Sequence, residues 1–134
     1  MTTATATDAL SLVRQLPALI PNRLEEAAHI LAEDFKWSYF NEGLPSLNKK
    51  TYVGAKGWKQ FFDDLAELTG GTFRVKLHRA YSLGEELVVV HAIPSMSMDG
   101  MTFETDAAVV WRVVDGKVTE AWDIPGINSA IRPV

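Results

Sequence analysis

The sequence of 134 residues contains no cysteine, and this absence excludes several kinds of chemistry. Without thiols the chain has no disulfide bonds, no thiolate metal ligands and no cysteine nucleophile. Its stability must come from a hydrophobic core, for which 47% of hydrophobic residues is sufficient. We predict a single domain over residues 1–134, with residues 1–7 as a flexible tail.

Long apolar runs and clusters of basic residues are also missing. No apolar stretch approaches the roughly 18 residues of a membrane-spanning helix, and the N-terminal residues lack the pattern of a secretion signal. The net charge is −4, and the 13 lysines and arginines are scattered along the chain. These features predict a cytoplasmic protein that binds neither membranes nor nucleic acid.

Known motifs for cofactors, metals and activated nucleophiles are absent as well. The sequence has no glycine-rich phosphate motif and no serine within a Gly-x-Ser-x-Gly elbow. Its three histidines fall on separate predicted elements, without the spacing of metal ligands. We therefore expect no cofactor and no bound metal.

Hydrophobic spacing predicts helices in the first half of the chain. Asn22 and Glu25 have the spacing of a capping box, in which Asn22 begins the second helix. The segment after this helix is aromatic and alternating, which predicts one strand, and residues 41–50 are expected to form a loop. The predicted elements are helices over Asp8–Leu16, Asn22–Ala32 and Gly54–Leu68, and a strand over Phe35–Phe40.

From residue 73 onwards the hydrophobic period changes from 3.6 to 2. Short polar turns, such as Asp115-Gly116, separate the alternating segments and favour antiparallel pairing. We predict an α+β fold with three N-terminal helices packed on one face of a curved, mainly antiparallel sheet. The four predicted strands are Phe73–Tyr81, Glu86–Met96, Thr102–Val114 and Lys117–Ile124.

Asp123 is the first candidate for chemistry, because it ends an apolar strand. On this strand Thr119, Ala121 and Asp123 share one face. A carboxyl group in an apolar cavity has its pKa raised by desolvation, which suits proton transfer near neutral pH. Alternatively, Asp123 caps the following turn or forms a salt bridge.

His91 is the second candidate, in the centre of an apolar strand. An imidazole there can relay protons, and we expect it to face Asp123 across a pocket. The alternative is a core histidine that a neighbouring group satisfies. Asp106 is a candidate for a second pocket carboxylate, or else it lies at the solvated end of its strand.

Five segments, in order, cover nearly the whole chain: Leu31–Trp37, Tyr52–Gly57 with Phe61-Phe62, Gly70–Phe73, Val88–His91 and Val113–Asp123. Together they resemble the nuclear transport factor 2-like superfamily and, within it, the SnoaL-like polyketide cyclase and ketosteroid isomerase-like group. The resemblance implies a cone-shaped domain that encloses an apolar pocket, and it also implies a homodimer. Because this fold supports many activities, the resemblance does not by itself define the reaction.

The resemblance also bears on individual residues. It implies a working aspartate at Asp123, as in epoxide hydrolases and cyclases of the superfamily. The ketosteroid isomerases would have their catalytic base at about Tyr39, where a phenol with a pKa near 10 is a poor base. The epoxide hydrolases have Arg-x-Asp on the strand of His91, where this chain reads His91-Ala92-Ile93. Both of these specific reactions are therefore disfavoured.

Aromatic and methionine side chains are the candidates for substrate binding. Trp37, Tyr39 and Tyr52 are expected to orient the substrate, or else to pack in the core. Met96 is expected at the mouth of the pocket together with Met98 and Met101, where flexible thioethers adapt to an apolar ligand. These methionines could equally form a dimer surface.

We expect a cofactor-independent enzyme of the cyclase or isomerase type. It would use general acid/base catalysis on a small, hydrophobic, oxygenated substrate similar to a polyketide. One alternative is a non-catalytic module that binds a hydrophobic ligand or only assembles as a dimer. A second alternative is an epoxide hydrolase or dehydratase whose active site has diverged.

Overall fold

A computed structural model describes residues 9–126 and 132–133 of the chain. Its N-terminal part is helical, and its remainder is dominated by strands. Helix α1 covers residues 9–14, two 3₁₀ helices follow at Pro17–Leu19 and Leu24–Ile30, and helix α2 spans Gly54–Thr69. Residues 1–7, which we predicted to be a tail, lie outside the described residues. Across the described segments, no helix combines the length and apolarity that crossing a membrane requires.

In the part of the chain that the structure describes, eight strands form one mixed, mostly antiparallel open sheet, which confirms the predicted α+β fold. The strand order is β2-β1-β7-β6-β4-β5-β8, and β3 also pairs with β4. Among the strands of the described residues, only the pairing of β1 with β7 is parallel. The strands are β1 Leu31–Tyr39, β2 Lys50–Val53, β3 Arg74–Leu83, β4 Leu87–Met98, β5 Met101–Glu104, β6 Ala107–Val114, β7 Lys117–Pro125 and β8 Arg132–Pro133.

Helix α2 packs across β1 and β2, as its sequence predicts. Trp58, Phe61, Phe62 and Leu65 recur at helical spacing, and all four are buried. The helix ends at Gly70, whose φ of 62° is left-handed and whose N–H donates to the carbonyl of Ala66. This aromatic face closes one side of the core.

The helix predicted over Asn22–Ala32 is present in part, as a shorter helix of the 3₁₀ type. The chain forms a 3₁₀ helix from Leu24 to Ile30 and then enters β1 at Leu31. No side chain caps the 3₁₀ helix, so the capping box does not form, and Arg23 instead binds Glu26 with Nε and Oε2 2.6 Å apart. The residues from 31 onwards join the sheet, because strand alternation places the aromatic side chains of Phe35, Trp37 and Tyr39 together in the core.

The strands β2, β5 and β8 also differ from the prediction. The predicted loop over residues 41–50 gives way to β2 at Lys50, which pairs with the end of β1. The predicted strand Thr102–Val114 is interrupted at Thr105 and Asp106, which separates β5 from β6. The short strand β8 was not predicted, since two residues are too few to show a period.

A β-bulge between β6 and β7 changes which residues of β7 face inward. The register shifts between Arg112 and Val113, so that Val118 and Ala121 are both buried although they are three residues apart. Simple alternation along this strand would place Val118 on the face opposite Ala121, so the bulge is the reason that it does not. Beyond the bulge the alternation is regular, and Asp123 lies on the same inner face as Ala121.

Candidate active site

A cavity of about 660 Å³ lies between the inner face of the sheet and the N-terminal segments. Most of the side chains that line it are aliphatic or aromatic. Its polar groups include Asp123, Tyr39 and Asn41, which come from the adjacent ends of β1 and β7. This volume is in the usual range of sites for small organic molecules.

The strand register arranges the lining residues in rows. Trp37 of β1 and Trp111 of β6 are both paired with Ala121 of β7, and they form an aromatic floor with ring centroids 5.5 Å apart. Two residues further along β1 and β7, Tyr39 is paired with Asp123. Alternate residues of a strand are roughly 7 Å apart, so the row of Tyr39 and Asp123 lies about that far from the row of Trp37 and Ala121.

Asp123 is a carboxyl group enclosed by protein but accessible from the cavity. Burial raises its pKa from 3.8 to about 7. Within residues 9–126 and 132–133, no hydrogen-bond donor or cation contacts this carboxyl group. The raised pKa that the sequence predicts for a carboxyl group in an apolar site is therefore present, and its cause is desolvation.

Tyr39 is the phenol that neighbours this carboxyl group. Its side chain is almost fully buried and packs on Phe61, with ring centroids 4.7 Å apart. Burial raises the pKa of Tyr39, and the negative charge of Asp123 raises it further. Tyr39 therefore stays protonated and is suited to donate a hydrogen bond rather than to act as a base.

Asn41 fixes the direction in which Tyr39 can donate. The backbone N–H of Gly43 donates to Asn41 Oδ1 at 2.9 Å, so the other amide position must be the NH₂ group. This NH₂ group donates to the Tyr39 hydroxyl oxygen at 2.8 Å. Since an NH₂ group cannot accept, the phenolic proton has to point away from Asn41, which leaves it available to a ligand in the cavity.

The sequence does not indicate Asn41 as a site residue, because Asn41 lies in a segment predicted only to form a loop. Its backbone N–H is held by Asn48 Oδ1 at 2.8 Å, and its side chain is buried. A signal was present: asparagine followed two residues later by glycine is typical of a turn closed by the asparagine side chain. That signal predicts the turn but does not predict the contact with Tyr39.

His91 lies on the opposite face of the sheet, so the expectation that it faces Asp123 is wrong. The residues of β4 that line the cavity are Val90 and Ala92, and His91 alternates with them. Its Nε2 lies 2.7 Å from Asp106 Oδ1, and its ring packs against His78 on the outer face. His91 and Asp106 both line a smaller surface groove of about 340 Å³. Asp106 is therefore not a second carboxylate of the main cavity.

The remaining candidates separate into two groups. Trp37 and Met96 line the cavity, and so do Met98 and Met101, which extend towards its open end. Tyr52 does not line it, because its hydroxyl group donates to Asp64 Oδ2 at 3.0 Å, between β2 and α2. The described segments contain no group of three histidine, aspartate or glutamate side chains arranged to hold a metal ion.

The solved structures similar to this chain share its fold. Bal32a, from a soil-derived mobile gene cassette, is 16% identical with a TM-score of 0.80, and 92% of each chain is covered. TerC, co-crystallised with polyporic acid, is 23% identical with a TM-score of 0.68, over 96% of this chain and 93% of TerC. An epoxide hydrolase similar to LEH, from M. tuberculosis, is 18% identical with a TM-score of 0.66, over 92% and 86%.

A comparison with curated proteins finds no match. The sequence model of the SnoaL-like domain family matches residues 13–121 of this chain. This range includes all of β1 and the part of β7 that ends at Ala121. Proteins with this fold include polyketide cyclases, ketosteroid isomerases and epoxide hydrolases. The chain belongs to the SnoaL-like domain family.

Proposed function

We propose that this protein is a cofactor-independent enzyme of the cyclase or isomerase type. In this proposal Asp123 is the general base that moves a proton of a small, hydrophobic, oxygenated substrate, such as a ketone. One observation carries the proposal: a carboxyl group with a pKa of about 7 lines an apolar cavity beside a protonated phenol. A base with a pKa near the working pH is most effective in proton transfer.

The reaction begins with the substrate carbonyl between the two polar groups. The Tyr39 hydroxyl group donates to the carbonyl oxygen, while the Asp123 carboxylate removes a proton from the neighbouring carbon. The electrons of the broken C–H bond form the C=C bond of an enolate, which the Tyr39 hydrogen bond stabilises. An apolar enclosure strengthens this hydrogen bond, because no water competes for the oxygen.

The enolate can then follow either of two courses. In an isomerisation, Asp123 returns its proton to a different carbon, and the carbonyl or a conjugated double bond is restored. In a cyclisation, the enolate carbon attacks a second carbonyl of the same substrate, and the new alkoxide takes the proton from Asp123. Both courses return Asp123 to its carboxylate form, so no external reagent is consumed.

Hydrogen exchange tests this proposal without knowledge of the natural substrate. We would incubate a panel of enolisable ketones, including 1-indanone and 2-tetralone, with the protein in D₂O and follow loss of the α-hydrogen signal by NMR. The wild type is expected to accelerate exchange, and Asp123→Asn is expected to lose about 10²- to 10⁴-fold of this acceleration. Equal rates for the two proteins would remove Asp123 from the mechanism.

A non-catalytic binding module is the second candidate function, and one observation favours it. None of the described residues that line the cavity is a histidine, so Asp123 has no imidazole with which to share proton transfer. Titration calorimetry with the same ketones separates the two functions. Binding without exchange above the rate in buffer would support the module and contradict the enzyme.

A further inference from the structure

The charged side chains around the cavity are all of one sign. Glu42, Asp99 and Asp123 line it, whereas no lysine, arginine or histidine does so among the residues that the structure describes. Tyr39 adds no charge, because its raised pKa keeps the phenol neutral. A ligand therefore meets only negative charge from the described lining of this cavity.

The three carboxylates lie at two levels. Glu42 lies in the loop after β1, next to Asn41, and Asp99 lies in the turn between β4 and β5. Both are exposed residues that line the cavity. They consequently lie at its mouth, where Met98 and Met101 flank Asp99. Asp123 lies deeper, in the row above the Trp37 and Trp111 floor. A ligand that enters from solvent therefore passes Glu42 and Asp99 at the mouth before it reaches Asp123 and the phenol of Tyr39.

This arrangement is unfavourable for an anion at each level. At the mouth, the like charges of Glu42 and Asp99 repel an incoming anion, and this repulsion is screened by salt. Inside, the anion would lose its hydration next to the Asp123 carboxyl group without any cation to replace the water. An uncharged carbonyl compound is not repelled at the mouth and has no ionic hydration to lose inside. It can still accept the hydrogen bond of Tyr39.

We propose that Glu42, Asp99 and Asp123 together restrict the cavity to uncharged substrates, such as esters and ketones, and exclude carboxylates and phosphates. This inference rests on the function proposed above, because it treats the bound ligand as a substrate. The selection of charge itself concerns binding, so it can be measured whether or not the protein catalyses proton transfer.

A matched pair of ligands tests the selection. Methyl 1-oxoindane-5-carboxylate and the corresponding free acid have the same bicyclic ketone, but only the free acid is an anion at pH 7.5. We would measure the dissociation constant of each by titration calorimetry and the rate of α-hydrogen exchange by NMR. At low salt the ester is expected to bind at least about tenfold more tightly than the acid, and the difference should narrow as salt is added.

Substitutions at the mouth assign the selection to named residues. In the double variant Glu42→Gln and Asp99→Asn, the preference for the ester over the acid should fall about threefold or more. The matched control is Glu67→Gln with Asp115→Asn, which removes two charges outside the cavity lining. Asp115 is a good match, because both it and Asp99 have a positive φ before a glycine, 52° and 54°. The control should keep the preference of the wild type.

The outcomes separate this proposal from the function on which it rests. Tighter binding of the ester without hydrogen exchange supports the charge selection and contradicts the enzyme. Equal binding of ester and acid overturns the selection, as does a control variant that narrows the preference as much as the variant at the mouth. Failure of both compounds to bind at millimolar concentration also counts against the proposed substrate class.

Discussion

Tyr39 and Asp123 are register partners on two adjacent parallel strands, and both side chains line the same cavity. Parallel pairing places a phenol and a carboxyl group side by side, although their positions in the sequence are 84 apart (123 − 39). The backbone reinforces the pairing, because the N–H of Phe40 donates to the carbonyl of Asp123 at 3.0 Å. The position of the candidate base is therefore set by the sheet rather than by a loop.

The raised pKa of Asp123 predicts a specific dependence of stability on pH. Between about pH 4 and pH 7 the folded protein keeps a proton that the unfolded chain releases, so the free energy of unfolding falls as pH rises through this window. Asp123→Asn removes this titration. The free energy of unfolding of the variant, minus that of the wild type, should therefore increase from pH 4 to pH 8, by at most about 4 kcal/mol.

Urea unfolding of both proteins at several pH values measures this difference. At pH 4 the two free energies of unfolding should be similar, because the wild-type carboxyl group is then protonated. A constant difference between the two proteins over the whole range would show that Asp123 titrates normally.

Replacement of Tyr39 by phenylalanine tests the hydrogen bond to the substrate oxygen. Tyr39→Phe keeps the ring packing on Phe61 but removes the donor, so the exchange rate at saturating ketone should fall about 10- to 100-fold. Its effect on ketone binding should be smaller, because the hydrogen bond strengthens as charge develops on the oxygen. A loss confined to binding would mean that Tyr39 only forms part of the wall.

Asn41→Asp tests whether the asparagine amide directs the phenol. An aspartate at this position can accept from both the Gly43 N–H and the Tyr39 hydroxyl group, so the phenolic proton would turn away from the cavity. Exchange in Asn41→Asp should therefore fall about as far as in Tyr39→Phe, and the double variant should be no slower than either. Additive losses would indicate that the two residues act independently.

His91→Gln provides the contrast with Asp123→Asn. Because His91 binds Asp106 on the outer face, its replacement should change hydrogen exchange less than about twofold. Exchange by this variant is measured with 1-indanone at the same protein concentration as the wild type. A loss comparable to that of Asp123→Asn would restore His91 as a catalytic candidate.

The homodimer implied by the family resemblance stays a prediction. The outer face of the sheet exposes large apolar side chains, including Tyr81, Leu83 and Ile124, which a second copy would cover. Light scattering should give about twice the chain mass of 14.8 kDa, and Tyr81→Lys with Leu83→Lys should reduce it to that of the monomer. A monomeric wild type would contradict this prediction.

The elements with strong periods could be predicted from the sequence. Helix α2 has four large apolar residues at helical spacing, strand β3 alternates clearly, and β4 and β7 are apolar segments bounded by turns, so their existence and type are confirmed. The type of helix over Leu24–Ile30 could not be predicted, because its apolar residues fit the face of an α-helix. The segment instead forms a 3₁₀ helix, and β1 begins directly after it at Leu31. Tertiary pairing overrides local propensity at this point.

The candidate site could be predicted only in part. The sequence indicates Asp123, because a carboxyl group at the end of an apolar strand is unusual. It does not show which face His91 lies on, because both faces of β4 are apolar near this residue, with Val89 and Ile93 on one side and Val88 and Val90 on the other. Without a contrast between polar and apolar residues, alternation cannot show which face is inside.

The pH dependence of hydrogen exchange tests the central claim most directly, because it reports the ionisation of the base itself. We would follow α-hydrogen exchange of 1-indanone in D₂O from about pH 5 to pH 9, with the wild type and Asp123→Asn. The wild-type rate should rise with pH and level off above the Asp123 pKa of about 7, while the variant follows the rate in buffer. A wild-type profile without this inflection, or a variant that matches the wild type, would contradict the assignment of Asp123 as the catalytic base.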